Sequence, residues 1–264
     1  MVLRSTGIHR VLGGASPSGT GQGRSVLFVE HSVVGAISAH RRDTADPGVL
    51  EAAVTSGAEY AELDIRRTAD GELVVHHDER VAGARLARST YRQLCAAAGH
   101  QVPRVREALE VLAGRVKGHL DLKEPGTEHE VVSLALDLLG PQNFVVTTDD
   151  AASVAAVKRA FPRVITALSV GRYLPQPGTV RDLFPLDRIR ACGADWVAMH
   201  HRLARLGVLR QCAREGIPAM VWTVNDRPLM RRFLADDRVS VLITDRPADA
   251  VRLRAVTRSR PSSR

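Results

Sequence analysis

Four short clusters of charged and imidazole side chains contain the residue types in this chain that are best suited to chemistry. Each follows or lies within an apolar, strand-like run, and the clusters are His40-Arg41, Glu62-Leu63-Asp64, His77-Asp78 and Asp121-Leu122-Lys123. Residues two apart in a strand point to the same face, so Glu62 and Asp64 share one direction, and so do Asp121 and Lys123. Carboxylates grouped with histidines and cationic side chains at strand ends suit a divalent-cation site that handles a phosphate ester.

The elements that must position these clusters are apolar runs separated, for the most part, by amphipathic stretches that predict helices. Several of the runs are apolar on both faces, as parallel strands covered by helices are. The predicted strands are 36–40, 60–65, 72–76, 118–122, 143–147, 164–169, 195–199, 219–224 and 239–244.

This alternation predicts an α/β fold, a single-domain (β/α)8 TIM barrel. The loop 66–71 is too short to hold a crossover helix, so the run 72–76 is predicted to be a hairpin partner or an irregular barrel strand. An open Rossmann-like sheet would show the same alternation, but no G-x-G-x-x-G motif follows the first predicted strand. In a TIM barrel the reactive groups lie at the C-terminal ends of the strands, so the four clusters are expected to meet at one mouth.

The formal net charge of +8 is concentrated near the two ends of the chain. Residues 1–34 carry +2, residues 252–264 carry +5, and the stretch between them carries only +1. We therefore predict a flexible basic leader over 1–34, the barrel over 35–251 and a basic disordered tail over 252–264. This distribution argues against a nucleic-acid partner and is compatible with weak contact with an acidic membrane surface.

The cysteines predict a reducing compartment. Cys95, Cys192 and Cys212 share no metal-binding spacing, and their odd number does not suit a disulfide framework. The N-terminal segment lacks the apolar run that a secretory signal needs, and no run of about 18 apolar residues predicts a transmembrane segment. A cytoplasmic protein is expected, and the sequence does not indicate its oligomeric state.

Further segments accompany the four clusters in a recognisable order along the chain. They read His40–Arg42, Gly57–Asp64, Thr68–Gly71, Val74–Asp78, Asp121–Lys123, Trp222–Asn225 and Ile243–Pro247. This ordered set resembles the glycerophosphodiester phosphodiesterase family and its relatives, the sphingomyelinase-D-like phospholipases. The family's motifs are His-Arg-Gly, Gly-Ala-Asp-x-x-Glu-x-Asp, Thr-x-Asp-Gly, His-Asp, carboxylate-x-Lys, Trp-Thr-Val-Asn and Ile-Thr-Asp-x-Pro. The resemblance implies a TIM barrel of the PLC-like phosphodiesterase type.

The chemistry of the clusters and the resemblance together give each group an expected role. Hard cations such as Mg²⁺ or Ca²⁺ take oxygen ligands, and the expected metal ligands are Glu62, Asp64 and Asp121. Arg41 and Lys123 are expected to neutralise phosphoryl charge, and Trp222 to form the pocket wall near the substrate alcohol. The resemblance assigns His40 and His77 to general acid–base catalysis. It leaves open which histidine is the acid, and whether water or a substrate hydroxyl attacks.

We expect a metal-dependent phosphoric diester hydrolase that cleaves small glycerophosphodiesters to glycerol 3-phosphate and an alcohol. The chain departs from the family pattern at Arg42, where the family has glycine, in the lack of a following Pro-Glu-Asn-Thr, and at Asp121, where Glu is common. Asp121 and the short segment between His77 and Asp121 favour, as an alternative, a phospholipase-D-like activity on intact lipid. Arg42 and the absent segment favour a non-catalytic phosphate-binding barrel, although such a barrel would not need both His40 and His77.

Other titratable residues near the clusters are predicted to be structural. Alternation places His76 on the face opposite to the clusters, and Asp78 is expected to orient His77 or cap a turn. His200 and His201 follow a predicted strand, and a surface or packing role is expected for them. Asp245 is expected either to hydrogen-bond at the closure of the barrel or to line the mouth.

Overall fold

The computed structural model describes residues 35–40, 47–172 and 179–258. The predicted phosphate ligand Arg41, the departure at Arg42 and the predicted leader 1–34 lie outside the described residues.

Eight parallel strands close into a barrel, which confirms the predicted fold class. They follow one another round the barrel in chain order, and the pairing of the first strand with both the last and the second closes the ring. The strands of the barrel are β1 (Ala36–Ala39), β2 (Tyr60–Arg67), β6 (Lys117–Leu122), β7 (Phe144–Thr148), β8 (Ile165–Val170), β9 (Trp196–His200), β10 (Ala219–Trp222) and β11 (Val239–Thr244).

The remaining strands form two small hairpins outside the parallel ring. β3 (Leu73–Val75) pairs antiparallel with β2, which agrees with the predicted hairpin partner. β4 (Arg80–Val81) and β5 (Ala84–Arg85) pair with each other, and Ala82 and Gly83 between them both have positive φ. The sequence analysis missed this second hairpin because two-residue strands are too short to show a period.

Helices cover the outside of the barrel. Two of the short ones start with recognisable caps: Asp226 accepts a hydrogen bond from the Leu229 backbone N–H, and Thr90 forms a capping box with Gln93. The helices are α1 (Pro47–Val54), α2 (Tyr91–Ala98), α3 (Val105–Leu112), α4 (Glu128–Leu139), α5 (Ala151–Ala160), α6 (Leu186–Cys192), α7 (His201–Arg205), α8 (Val208–Arg214), α9 (Arg227–Leu234) and α10 (Pro247–Arg258).

Strand alternation divides the core into an interior and a surrounding layer. Leu63 and Leu120, on the outer faces of β2 and β6, are fully buried against helices. Inside the barrel, Tyr60, Trp196 and Met220 fill the end at which the strands begin. The same alternation points the polar residues of β2 and β6 into the barrel near its other end. The interior of the barrel is therefore filled with apolar side chains at the end where the strands begin and is polar at the opposite end.

The C-terminal boundary of the barrel differs from the predicted one at residue 251. Helix α10 continues to Arg258, Leu253 is buried, and the Arg254 guanidinium donates to the Gly35 carbonyl at 3.0 Å and to Glu59 at 2.8 Å. Residues 252–264 were interpreted as a solvated tail, but residues on one face of α10, among them Ala250, Leu253 and Arg254, pack on the barrel. None of the helices in the described part of the chain has the length and apolar character needed to cross a membrane.

Candidate active site

The three predicted metal ligands come together on two neighbouring strands. The parallel register of β2 and β6 sets Asp64 opposite Asp121, and Glu62 lies one inward-facing position below on β2. One carboxylate oxygen from each of the three lies within 4.8 Å of the other two. The Glu62 Oε2 atom is buried and has no hydrogen-bond partner among the described residues. A buried carboxylate oxygen without a partner is costly, and a hard cation would satisfy it. These residues therefore fit a divalent metal ion.

Lys123 occupies the same cluster and offsets part of its negative charge. Its Nζ lies 2.6 Å from Asp64 Oδ1 and also contacts Asp121 Oδ2. Burial raises the pKa of Asp121, but Lys123 lowers it by more, so this carboxyl has a pKa below its ordinary value. For Glu62, burial raises the pKa well above the ordinary range, and the charges of Asp64 and Asp121 add to that rise. The three carboxylates are thus crowded enough to favour an additional cation.

His40 lies at the end of β1 and is held by a residue from the other end of the chain. Its Nδ1–H donates to Asp245 Oδ1 at 2.6 Å. Asp245 is itself fixed by Asn225, whose Nδ2 donates to Asp245 Oδ2 at 2.5 Å and whose Oδ1 accepts from the Asp245 backbone N–H at 3.0 Å. Burial lowers the pKa of His40, but Glu62, Asp245 and Asp64 outweigh it and raise the pKa to about 9. Asp245 therefore orients the His40 ring, and the surrounding carboxylates favour its protonated form.

His77 approaches the cluster from the opposite side, on the segment after β3. Its Nδ1–H donates to Asp78 Oδ1 at 2.7 Å, and its backbone carbonyl accepts two hydrogen bonds from the Arg66 guanidinium at 3.0 and 3.1 Å. The rings of His40 and His77 are 6.1 Å apart between centroids. A side-chain nitrogen of each lies within 4.8 Å of an Asp64 oxygen. The two histidines thus flank the space in front of the carboxylates.

Beneath the carboxylates lies a buried chain of hydrogen bonds that the sequence analysis did not identify. Thr147 Oγ1 donates to Asp121 Oδ1 at 2.8 Å, so the His119 Nε2–H must be the donor to Thr147 at 3.0 Å. Burial lowers the pKa of His119 to about 4, which keeps this ring neutral. Its Nδ1 then accepts from the Ser38 hydroxyl at 3.0 Å. The chain of hydrogen bonds fixes the orientation of Asp121.

The far wall of the mouth comes from β8 to β10. A cavity of about 220 Å³ lies between this wall and the carboxylate cluster, and Trp222, Arg172 and Ser169 line it together with both histidines. The Arg172 guanidinium donates to Asp149 at 3.0 Å. His200 is packed edge-on against Trp222, with 5.1 Å between the ring centroids. Trp222 therefore lines the cavity opposite the carboxylates, and its contact with the substrate alcohol stays a prediction.

Most of the residues that line the site were predicted from the sequence, and a few were not. Asp245 was expected either to hydrogen-bond at the closure of the barrel or to line the mouth, and it hydrogen-bonds to His40, but its link to that histidine was not predicted. His119 shares the inward face of Asp121 by alternation, and that spacing would have identified it. His76 lies outside the cavity between the two histidines, where its Nε2 lies 3.0 Å from the Arg80 carbonyl. Arg172 was not predicted as a site residue, because it follows β8 outside any recognisable motif.

Comparison with known proteins identifies the family of the chain. The sequence profile of the glycerophosphoryl diester phosphodiesterase family matches residues 49–249. No curated protein sequence matches the chain.

Solved structures show the same fold at low sequence identity. A putative glycerophosphoryl diester phosphodiesterase from Agrobacterium tumefaciens is 21% identical, with a TM-score of 0.72 over 86% of this chain and 100% of that one. A glycerophosphodiester phosphodiesterase from Parabacteroides distasonis is 21% identical, with a TM-score of 0.69 over 85% and 98%. A phosphodiesterase from Oleispira antarctica in complex with sn-glycerol-3-phosphate is 17% identical, with a TM-score of 0.66 over 83% and 96%. By the profile match across most of its length, the chain belongs to the glycerophosphoryl diester phosphodiesterase family.

Proposed function

We propose that this glycerophosphodiester hydrolase works through a divalent cation on Glu62, Asp64 and Asp121 and through His40 and His77 as an acid–base pair. The products are glycerol 3-phosphate and an alcohol. The observation that carries the proposal is the convergence of three carboxylates, one with an unpartnered buried oxygen, on a cavity that two aspartate-bound histidines flank.

The carboxylates are suited to a hard cation, and we propose Mg²⁺ or Ca²⁺. The chemistry that such a cation supplies is neutralisation of charge at a non-bridging phosphoryl oxygen. Lys123 forms ion pairs with Asp64 and Asp121, lowers the pKa of Asp121, and adds a positive charge beside the phosphoryl group. Arg41 is proposed as a further phosphate ligand on the ground of the sequence motif alone.

His40 is proposed as the general acid. Its pKa of about 9 keeps the ring protonated at neutral pH, and the bond from Nδ1–H to Asp245 leaves Nε2–H as the proton to be donated to the leaving alcohol oxygen. A cation on Glu62 would weaken the contribution of that carboxylate to the pKa, whereas the Asp245 pair would persist.

His77 is proposed as the general base. With Nδ1–H donated to Asp78, its Nε2 carries the lone pair that accepts a proton from the attacking oxygen. The attacking group is water or a neighbouring substrate hydroxyl. A non-catalytic phosphate-binding barrel would account for the carboxylates, but not for two histidines that are each held by an aspartate.

We also propose a cytoplasmic setting and a small phosphodiester as the partner, with no nucleic-acid ligand. Cys95, Cys192 and Cys212 are free thiols, and Cys192 and Cys212 are buried, which suits a reducing compartment.

The experiment that tests the proposal measures release of glycerol 3-phosphate from glycerophosphocholine and glycerophosphoethanolamine. Metal-stripped protein is assayed with Mg²⁺, Ca²⁺ or Mn²⁺ added back, and His77→Ala is compared with His76→Ala, the neighbouring residue outside the cavity. Turnover should require a cation and should be lost in His77→Ala but not in His76→Ala. Turnover without any cation, or equal turnover in the two variants, would contradict the proposed mechanism.

A further inference from the structure

Two neighbouring connections on the mouth side of the barrel leave apolar side chains in solvent. The first contains the 3₁₀ helix Thr179–Leu183 after β8, and the second contains α7 after β9. Because β8 and β9 are adjacent parallel strands, both connections emerge at the end of the barrel where the cavity opens. The Gln211 side chain donates to the Leu183 carbonyl at 3.0 Å and ties the first connection to α8, which directly follows the second.

The exposed apolar side chains of the described residues are concentrated on these connections. Val180 is 69% exposed, Phe184 is 68% exposed and Leu206 is 68% exposed. Only one other large apolar side chain in the described part of the chain is comparably exposed, Val256 on α10. Apolar side chains scattered singly on a surface need no explanation, but three on adjacent connections at a cavity mouth mark a contact surface.

Arginines separate these apolar side chains. Arg181 lies between Val180 and Phe184 and is 73% exposed, at 3.9 Å from Asp182. Arg202 and Arg205 are exposed on α7, and neither has a carboxylate within ion-pair distance among the residues that the structure describes. We call the six residues the rim patch: Val180, Arg181, Phe184, Arg202, Arg205 and Leu206.

The local potential at the rim patch is positive. The pKa of His201 is lowered by burial and then by the charges of Arg202 and Arg205. Asp182, the carboxylate beside Arg181, accepts from the Gly171 backbone N–H at 2.9 Å and from Arg188 at 2.8 Å. Two of the three arginines of the rim patch, Arg202 and Arg205, therefore have no acidic partner among the described residues, and Arg181 has only the distant contact with Asp182.

We infer that the rim patch docks on an anionic lipid bilayer. Arginine guanidinium groups pair with lipid phosphates, while Phe184, Val180 and Leu206 reach the boundary between head groups and acyl chains. Charge alone would suit any polyanion, but exposed apolar side chains between the arginines gain nothing from a nucleic-acid backbone. Docking in this orientation turns the mouth of the barrel towards the lipid head groups. The inference concerns binding and does not depend on the proposed reaction.

Vesicle co-sedimentation of the full chain tests this inference. Binding is measured on phosphatidylcholine vesicles and on vesicles that contain about 30% phosphatidylglycerol. The test variants are Arg202→Ser/Arg205→Ser and Phe184→Ser/Leu206→Ser. Their matched controls are Arg231→Ser/Arg232→Ser, in the last turn of α9 at the other end of the barrel, and Val256→Ser on α10.

The expected result is binding to the anionic vesicles only, weakened about 25-fold by the paired arginine substitutions, since each arginine near such a surface contributes about five-fold. The apolar pair should weaken binding without changing its salt dependence, and the controls should bind as the unsubstituted chain does. Equal binding by test and control variants would assign the attraction to other basic residues and overturn the inference. Absence of binding, or tighter binding to RNA than to anionic vesicles, would overturn it as well.

Discussion

The two halves of the barrel mouth are built differently. On β1, β2 and β6 the polar side chains of the site are joined by hydrogen bonds and ion pairs, and the buried Glu62 Oε2 atom has no hydrogen-bond partner among the described residues. On β8 to β10 the wall is formed by Trp222, Arg172 and Ser169, and Trp222 is fixed mainly by ring packing. The first half orients charged and proton-carrying groups through direct hydrogen bonds, whereas the second half mainly forms the wall of the cavity. We therefore expect reaction chemistry to depend on the first half and substrate choice on the second.

The largest effect is expected from Asp121→Asn. The substitution keeps the shape of the side chain but removes one of the three charges that fit a cation, so turnover should fall by at least about 1,000-fold. Calorimetric titration with Mg²⁺ and Ca²⁺ should show the matching loss of affinity. Ser169→Ala, on the opposite wall of the cavity, serves as the control. Equal losses of turnover and cation affinity in both variants would contradict the proposed difference between the two halves of the mouth.

The next effect is expected from Asp245→Asn, which should lower kcat about 100-fold. Asp245 raises the pKa of His40, so its removal lets His40 lose its proton at lower pH. The alkaline limb of the pH profile of kcat/KM should consequently move to lower pH. An unchanged alkaline limb together with a lower kcat would mean that Asp245 orients His40 without affecting its protonation, or that another group is the acid.

A smaller effect is expected from Thr147→Val, which removes the hydroxyl that joins His119 to Asp121. Groups that orient metal ligands contribute about 10-fold or more to metal affinity, so a loss of about 10-fold in cation affinity is expected. The control is Thr148→Val, the next residue on the same strand, whose hydroxyl accepts from the Asp150 backbone N–H. A comparable loss of affinity in the control would show that the effect comes from strand packing.

The smallest effect is expected from Trp222→Leu. An aromatic face beside a cationic head group contributes about 1 kcal/mol at a solvent-accessible site, so KM for glycerophosphocholine should rise by about five-fold. The value of kcat should stay close to that of the unsubstituted chain. The same variant is assayed with glycerophosphoethanolamine. An equal rise in KM for both substrates would indicate that Trp222 only forms the wall of the cavity. A rise in KM for one substrate alone would indicate that Trp222 recognises the head group.

The sequence was sufficient to predict the barrel and the carboxylate cluster, because both follow from local periodicity. A period of two sends Glu62 and Asp64 to one face, and apolar runs between helical stretches define parallel strands. The His40–Asp245 pair links residues 205 positions apart, and only the closure of the ring brings them together. The course of α10 beyond residue 251 was not predicted for a similar reason: Arg254 contacts Gly35 and Glu59, which are about 200 positions away in the sequence.

The bond between His40 and Asp245 has a consequence for the assembly of the enzyme. All three carboxylates and both histidines of the site belong to the first 121 residues of the chain, whereas the group that orients the proposed acid follows the last strand. A growing chain would therefore contain every cation ligand long before it had an oriented proton donor. Full hydrolytic activity therefore requires that the first and last strands of the barrel have paired, which happens only after the whole barrel has been synthesised.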